Sequence, residues 1–587
     1  MKVSIPFRPK LVDVLKNYSS QNFFADMVAG ITVGIVALPL AMAFAIASGV
    51  KPEAGIFTAV IAGFIISAFG GSRVAIGGPT GAFVIIIYGI YQQYGADNLV
   101  ICTIMAGFIL LIMGFARLGT MIKYIPYPVT VGFTSGIAVL IFSTQIKDFF
   151  GLRLEQSMPS EFIGKLMVLG THLDRIHLPT VVLAVLSVAI IVCWPKKLAR
   201  WVPGSIVALA FGTLAVWVLQ SNVLPFQLEV ATIGSRFGGI PQALPSFRMP
   251  DFDWHNLQNL VRPATTIALL AAIESLLCCV VADGMIEDRH DSNQELMAQG
   301  LANIVCPMFG GIAATGAIAR TATNVKNGGR SPVAGIIHAL TLLAVILVAA
   351  PLAKYIPLAT LSGVLIVVAY NMGEWHQFVR LPKWPKSDAA VFLTAFALTV
   401  LMDLTVAVEV GMVLAAVLFI KRISETTQIT AVDQATETEG SQHSLIGKTI
   451  PPGVLVFRVF GAFFFGVADK LETALQRARQ DPEILILRMR KVLAMDATGL
   501  NALEDLYEKL RRRGKHLILS GPHTQPLFVM DKAGFLDRIG RENVCANIDA
   551  SLERANQILV EKKTGKLPVQ PVLPLGEPMA RAQETHR

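Results

Sequence analysis

Two stretches of this chain put glycine, proline and hydroxyl residues where an apolar helix should begin. The first is Gly77-Gly78-Pro79-Thr80-Gly81-Ala82-Phe83. The second, Ala314-Thr315-Gly316-Ala317-Ile318-Ala319-Arg320-Thr321, follows Gly310-Gly311. A helix that starts inside an apolar region presents free N–H groups and the positive end of its dipole at its first turn. Two such ends facing each other can hold an anion with few charged side chains. Pro79 suits a first helical turn, and Thr80 adds a hydroxyl donor. The candidate binding residues are therefore Gly78, Pro79, Thr80, Gly81 and Ala82 from one stretch, and Gly316, Ala317, Ile318, Ala319 and Arg320 from the other. A plainer reading is that these clusters only permit tight packing or a kink. Their occurrence in both stretches favours a site.

Two charges sharpen this reading. An arginine near the centre of a bilayer costs about 2.5–3.5 kcal/mol on insertion scales, so it is normally paired or functional. Arg320, at the start of its segment, could face a carboxylate or oxyanion directly. Its bland alternative is to snorkel to a surface or to pair with an acid. Glu274, in IALLAAIESLLCCVVADG, is the other intramembrane charge of note. A carboxyl at such depth is a candidate proton carrier. Ser275 and Cys278 lie beside it, Cys278 one turn along the same face; the three form a candidate coupling group. A salt bridge to Arg320 or a hydrogen bond to backbone is the structural alternative. Asp403 and Glu409 read as structural or interfacial, and His338, alone on an apolar span, as a satisfied core residue.

The elements that must position these residues are membrane helices. Of 587 residues, 53% are hydrophobic and 16% charged, against about a quarter charged in soluble domains. Apolar runs predict about fourteen segments, a full crossing needing roughly 20 residues. They fall at 27–48, 55–69, 79–90, 99–116, 128–144, 180–194 and 202–219 in the first half. In the second they fall at 265–281, 296–309, 317–325, 333–350, 358–370, 389–401 and 406–420. The third and tenth are the short, broken ones, each roughly 50 residues after its half begins. Broken segments at matching positions point to an inverted-repeat transporter with its site between them.

Alternate loops carry the basic residues: Arg73; Arg117 and Lys123; Lys196, Lys197 and Arg200; Lys326 and Arg330; Arg380, Lys383 and Lys386; Lys421 and Arg422. This positive-inside pattern places both termini in the cytoplasm, in a cytoplasmic (inner) membrane, and turns loops 147–178 and 220–261 outward. The same pattern accounts for the net charge of +9 without nucleic acid. Residues 1–26 read as a cytoplasmic lead-in. The six cysteines show no metal-ligand spacing, and no catalytic triad, cofactor motif or ATP-binding loop is visible. The chain reads as no enzyme, with no cofactor or metal.

After the transmembrane domain, 27–422, a polar linker at 423–445 leads to an α/β pattern at 446–562. Val454–Gly466 reads as strands and Val467–Arg479 as a helix. Glu483–Met489 (EILILRM) and His516–Ser520 (HLILS) read as buried strands. Leu500, Leu503, Leu506, Tyr507 and Leu510 recur at helical spacing between these two strands. Residues 563–587, rich in proline and polar residues, read as a disordered tail.

At these residues the chain resembles the sulfate permease (SulP) family, also called solute carrier family 26. ALPLAMAFAIASGVKPEAG (Ala37–Gly55) is similar to the family's signature around its first two spans. GGPTGAF and ATGAIART match its two half-helices. DATG (496–499) resembles the loop of STAS (sulfate transporter and anti-sigma factor antagonist) domains. The resemblance implies seven-plus-seven inverted repeats divided into a core and a gate, a homodimer, and elevator-like movement of the core. AGITVGIVALPLAMAFAIASGV, GGSRVAIGG and AAIESLLCCVVADGM look most like the bacterial four-carbon dicarboxylate branch. That implies proton-coupled uptake of a succinate-like anion, with sulfate or bicarbonate transport as the alternative within the family. An uncoupled anion channel or a membrane sensor built on the same fold is a further alternative.

Two departures bear on mechanism. Sodium-coupled bicarbonate members have an Asp in the eighth span with a Thr one turn later, where this chain has Glu274 and Cys278. A thiol is a poor ligand for a hard cation, which favours protons over sodium. In the STAS loop, Ala497 stands where soluble relatives often carry a hydroxyl. Thr498 is then the candidate phosphorylation site, and Asp496 reads as a helix cap. Regulation or docking of a cytoplasmic partner is the expected role of that domain.

Overall fold

The computed structural model describes residues 7–564 apart from 17, 123–125, 155–157, 160, 196–197, 199–201, 221–229, 251–256, 403, 427, 432–447, 465–469, 472 and 476–481. Asp403, the 563–587 tail from 565 onward, and most of the linker and of the helix expected at 467–479 therefore lie outside the described residues. The chain divides into two compact units, Met1–Ala415 and Ala416–Arg587.

Each expected membrane segment coincides with a helix. In chain order these are α1 (Ser20–Ala47), α2 (Pro52–Phe69), α3 (Gly81–Phe115), α4 (Tyr127–Phe150), then α5 (Phe162–Thr171), α6 (Leu178–Cys193) and α7 (Gly204–Gln220). The second half gives α8 (Leu257–Ile286), α9 (Ser292–Val305), α10 (Ile318–Lys326), α11 (Pro332–Ala353), α12 (Leu358–Met372), α13 (Lys386–Leu401) and α14 (Leu404–Thr426). Helix α3 contains both the third and the fourth segments, broken at Gly95, where φ is +84°. A side chain is strained in that region, so the glycine lets one helix end and the next begin. Helix α5 is the addition: it lies in the loop read over 147–178, and at 10 residues it is too short to cross a bilayer. Among the described residues, seven helices are long and apolar enough to do so by length and composition.

The helices sort into two sets by what they touch. Helices α1, α2, α3, α8, α9, α10 and α11 pack on one another, and α4, α6, α7, α12 and α13 form a second group. Small residues allow the close approaches, as membrane packing favours. At the α3–α9 crossing, a Cβ on Gly107 would lie 2.7 Å from the Gly300 carbonyl oxygen, and one on Gly300 the same distance from that of Gly107. Alanine at either position would force the helices apart.

Unit two is built on a sheet ordered β3 (Gln428–Ala431), β4 (Val454–Phe460), β5 (Ile484–Lys491), β6 (His516–Ser520) and β7 (Val544–Cys545), antiparallel only at β3–β4. Strand alternation decides which helix covers which face. Leu485, Leu487 and Met489 share a core with Leu500, Leu503, Leu506 and Leu510 of α15 (Ala497–Arg512). Ile484 and Ile486 pack instead with Ile548, Leu552 and Ile558 of α16 (Ile548–Thr564). The strands expected at 483–489 and 516–520 are present, the first running Ile484–Lys491, whereas the stretch read as strands over Val454–Gly466 gives one strand, which ends at Phe460, and an isolated bridge at Phe463.

Candidate functional site

Two two-residue strands, β1 (Gly77–Gly78) and β2 (Thr315–Gly316), pair antiparallel, with Gly77 opposite Gly316 and Gly78 opposite Thr315. Each leads directly into a half-helix: β1 into α3 at Gly81, with Thr80 at the N-cap, and β2 into α10 at Ile318, with Ala317 at the N-cap. At 9 residues, α10 is roughly 14 Å long, about half the hydrocarbon thickness. The N–H groups of Gly81, Ala82, Ile318, Ala319 and Arg320 stand at first-turn positions, where a helix supplies no carbonyl partner. All ten expected binding residues thus lie on one antiparallel ribbon and the two helix starts it joins.

Polar side chains from other helices hold this ribbon. Asn303 clasps the backbone of Ala314 on both sides of its Cα, its Oδ1 accepting from Ala314 N and its Nδ2 donating to Ala314 O, both at 2.9 Å. Thr58 Oγ1 accepts from Ile312 N at 2.7 Å. Ser275 Oγ accepts from Gly316 N at 3.1 Å and lies 2.8 Å from Thr315 Oγ1. Thr321 Oγ1 accepts from Ile76 N at 2.9 Å and meets Cys278 Sγ at 3.2 Å. Ser275 and Cys278 therefore grip β2 and α10, and neither side chain is hydrogen-bonded to the Glu274 carboxyl. Asn303, Thr58, Thr315 and Thr321 were not singled out from sequence as supports. The available signal was a polar residue in an otherwise apolar segment.

Arg320 is buried, at 3% exposure. Its Nη2 donates to the Pro79 carbonyl at 3.2 Å, tying α10 to the start of α3, and Nη1 has no partner. Gly78, at φ +152°, passes so close that a Cβ there would overlap Nη1. One face of the guanidinium fork is thus buried and unspent at the meeting point of two positive helix ends. Ile318 and Ala319 beside it are exposed, so the helix start is open on one side.

Glu274 is half-buried and accepts a 2.9 Å hydrogen bond from Thr80 Oγ1 at the α3 N-cap. Its carboxyl therefore sits at the first turn of a half-helix, at the residue that follows the Pro79 carbonyl held by Arg320, and makes no salt bridge with Arg320. His338, on α11, is buried with neither ring nitrogen bonded, so the satisfied core residue read from the sequence is not what the packing gives. In unit two, Asp496 Oδ1 accepts from Gly499 N at 2.7 Å and caps α15, while Thr498 is exposed beside it.

The chain matches two family descriptions, the sulfate permease family over residues 23–395 and the STAS domain over 446–555. It is 43% identical over 529 residues to a putative sulfate transporter of Bacillus subtilis, covering 90% of this chain and 97% of that one. It is 32% identical over 555 residues to the bicarbonate transporter BicA of Picosynechococcus, covering 91% and 95%. Among solved structures, the transmembrane domain of a cyanobacterial BicA aligns with a TM-score of 0.59 at 31% identity, covering 68% of this chain and 98% of that one. SLC26A9 aligns over 94% of each chain with a TM-score of 0.81 at 17% identity, a likeness of fold.

Proposed function

The chain belongs to the sulfate permease family, so anion transport across a membrane is its activity, and we propose that it carries a divalent anion together with a proton. The observation that carries this reading is the Thr80–Glu274 hydrogen bond at the start of α3. A carboxylate beside an anion site opposes the anion: two unit charges about 5 Å apart at an effective dielectric of 20 repel by roughly 3 kcal/mol. Protonating Glu274 removes that repulsion, and by reciprocity a bound anion favours the proton. The two then enter and leave together. Cys278, bonded to Thr321 rather than turned to the site, offers no oxygen to sodium.

Two half-helix ends and Arg320 suit an anion with two charges, and a succinate-like dicarboxylate is the substrate favoured by the segments quoted above. Sulfate carries the same charge, and the Bacillus relative named a putative sulfate transporter supports it as the second reading. The relatives named for bicarbonate make that anion the third. Movement of the α1–α3 and α8–α11 set against the α4, α6, α7, α12 and α13 set is the elevator step in this proposal. A homodimer in the inner membrane with both termini cytoplasmic is its assembly, and Thr498, at the start of α15, its candidate regulatory position.

Proteoliposome uptake of labelled succinate, sulfate and bicarbonate, with and without an inward proton gradient, tests this. The wild type should accumulate one of them faster under the gradient. Glu274→Gln should still exchange that anion but lose the gradient's effect. A Gln variant that responds to the gradient as the wild type does would remove Glu274 from coupling.

A further inference from the structure

Helix α5 packs against α4 and α13 of the second helix set. Its Lys165 is 1% exposed, and the Nζ has no hydrogen-bond partner. What it faces is an aromatic ring: the ammonium stands 5.3 Å from the centroid of Tyr88, within cation–π range. Tyr88 belongs to α3, in the first set, and lies two turns beyond Gly81, roughly 10 Å along the axis from the half-helix start. The Tyr88 hydroxyl donates to the Met158 carbonyl at 2.7 Å, in the segment leading to α5. One tyrosine of the first set is thus held twice by α5 and the segment before it, and α5 packs on the second set.

A buried ammonium that lacks an oxygen acceptor is unfavourable, because no group replaces its lost hydration. Burial pushes the Lys165 amine down to about 8, and no charged neighbour contributes to that shift. The titratable group facing it from α3 is Tyr88, its hydroxyl engaged by Met158. An apolar side chain would fill this space without the penalty. The cation makes sense if its counter-charge is absent only in this arrangement. α3 begins at the anion site and runs toward the face that carries loop 147–178, so Lys165 stands beside the route between site and that face.

We propose that Lys165 is a second anion contact on the outward route, covered by Tyr88 in this arrangement and met by the substrate when the two helix sets part. The inference rests on the transport reading above and adds a residue to it. Its role is recruitment: an ammonium beside Tyr88, a residue two turns into α3, lowers the concentration at which the anion enters, without touching the later steps. Arginine would retain that charge, and glutamine would remove it.

The test is initial-rate uptake against concentration for wild type, Lys165→Gln and Lys165→Arg, in liposomes, with whichever of sulfate, succinate and bicarbonate the wild type carries. The expected result is a KM raised about tenfold in the Gln variant with kcat within about twofold, and a KM within about threefold of wild type in the Arg variant. Lys165→Met, better matched to the apolar surroundings, replaces Gln if that variant does not fold. An unchanged KM without the charge overturns the proposal while leaving transport intact. So does a fall in kcat at constant KM, which would make the residue only a strut. A wild type that carries none of the three anions overturns both readings.

Discussion

Substituting Gly78 by alanine tests whether Arg320 holds the anion. The added Cβ would overlap Arg320 Nη1, and a residue other than glycine is strained at φ +152°. The backbone on either side is tied by the pairing of Gly78 with Thr315, so the guanidinium is what gives way. Moving it loses the bond to the Pro79 carbonyl and takes Nη1 away from the helix ends. A hydrogen bond to a charged group contributes about 1.5–3 kcal/mol, which corresponds to roughly 10- to 150-fold in affinity. Gly77→Ala is the matched control. Its Cβ would meet the Ile66 side chain, an apolar chain that can turn aside, and it does not reach Arg320. Uptake kinetics in proteoliposomes should give Gly78→Ala a KM at least tenfold above wild type, and Gly77→Ala one within about threefold. Equal KM values for Gly78→Ala and wild type, in folded protein, would mean that Nη1 contributes nothing to anion binding.

Two further outcomes concern stability. Asn303→Leu removes both bonds to the Ala314 backbone and leaves a buried N–H and C=O unpaired, at about 1–3 kcal/mol each; thermal unfolding in detergent should fall by several degrees, and an unchanged midpoint would refute the clasp. For Lys165 the sign follows from protonation. Its folded pKa of about 8 lies below the ordinary 10.5, so between those values the unfolded chain binds more protons and stability rises with pH. Lys165→Met should therefore be more stable than wild type by up to about 3 kcal/mol at pH 7. That advantage should shrink as pH climbs from 8 toward 10.5; a difference independent of pH would refute the buried, unpaired amine.

The helices and both half-helix starts were legible because their signals are local. An apolar run states its own length, and Gly78-Pro79-Thr80 and Gly316 mark a helix start without reference to any partner. The same holds for the strand alternation of Ile484 to Met489. What stayed hidden depends on distant residues meeting. Asn303 looks like any polar residue on an apolar helix until Ala314 is placed beside it. Helix α5 is too short to register as a span, and its Lys165 has the composition of a loop cation until Tyr88 covers it. Helical spacing groups Ser275 and Cys278 with Glu274, but it cannot tell that their side chains turn toward Gly316 and Thr321 instead.

The β1–β2 ribbon sets a schedule for synthesis. Pro79 and Arg320 are separated by 241 positions, and at about 5–20 residues per second the ribosome needs roughly 12–48 s between making one and the other. Through that interval Gly77 and Gly78 have no second strand, and the half-helix after them is too short to span the membrane alone. The nascent first half must wait, sheltered by the insertion machinery or by its own neighbouring helices, until the second half emerges and its ribbon strand zips onto the first. A ribosome stall placed between residues 94 and 315 should therefore yield an intermediate whose Gly77 and Gly78 amides exchange with solvent, and release of the stall should protect them.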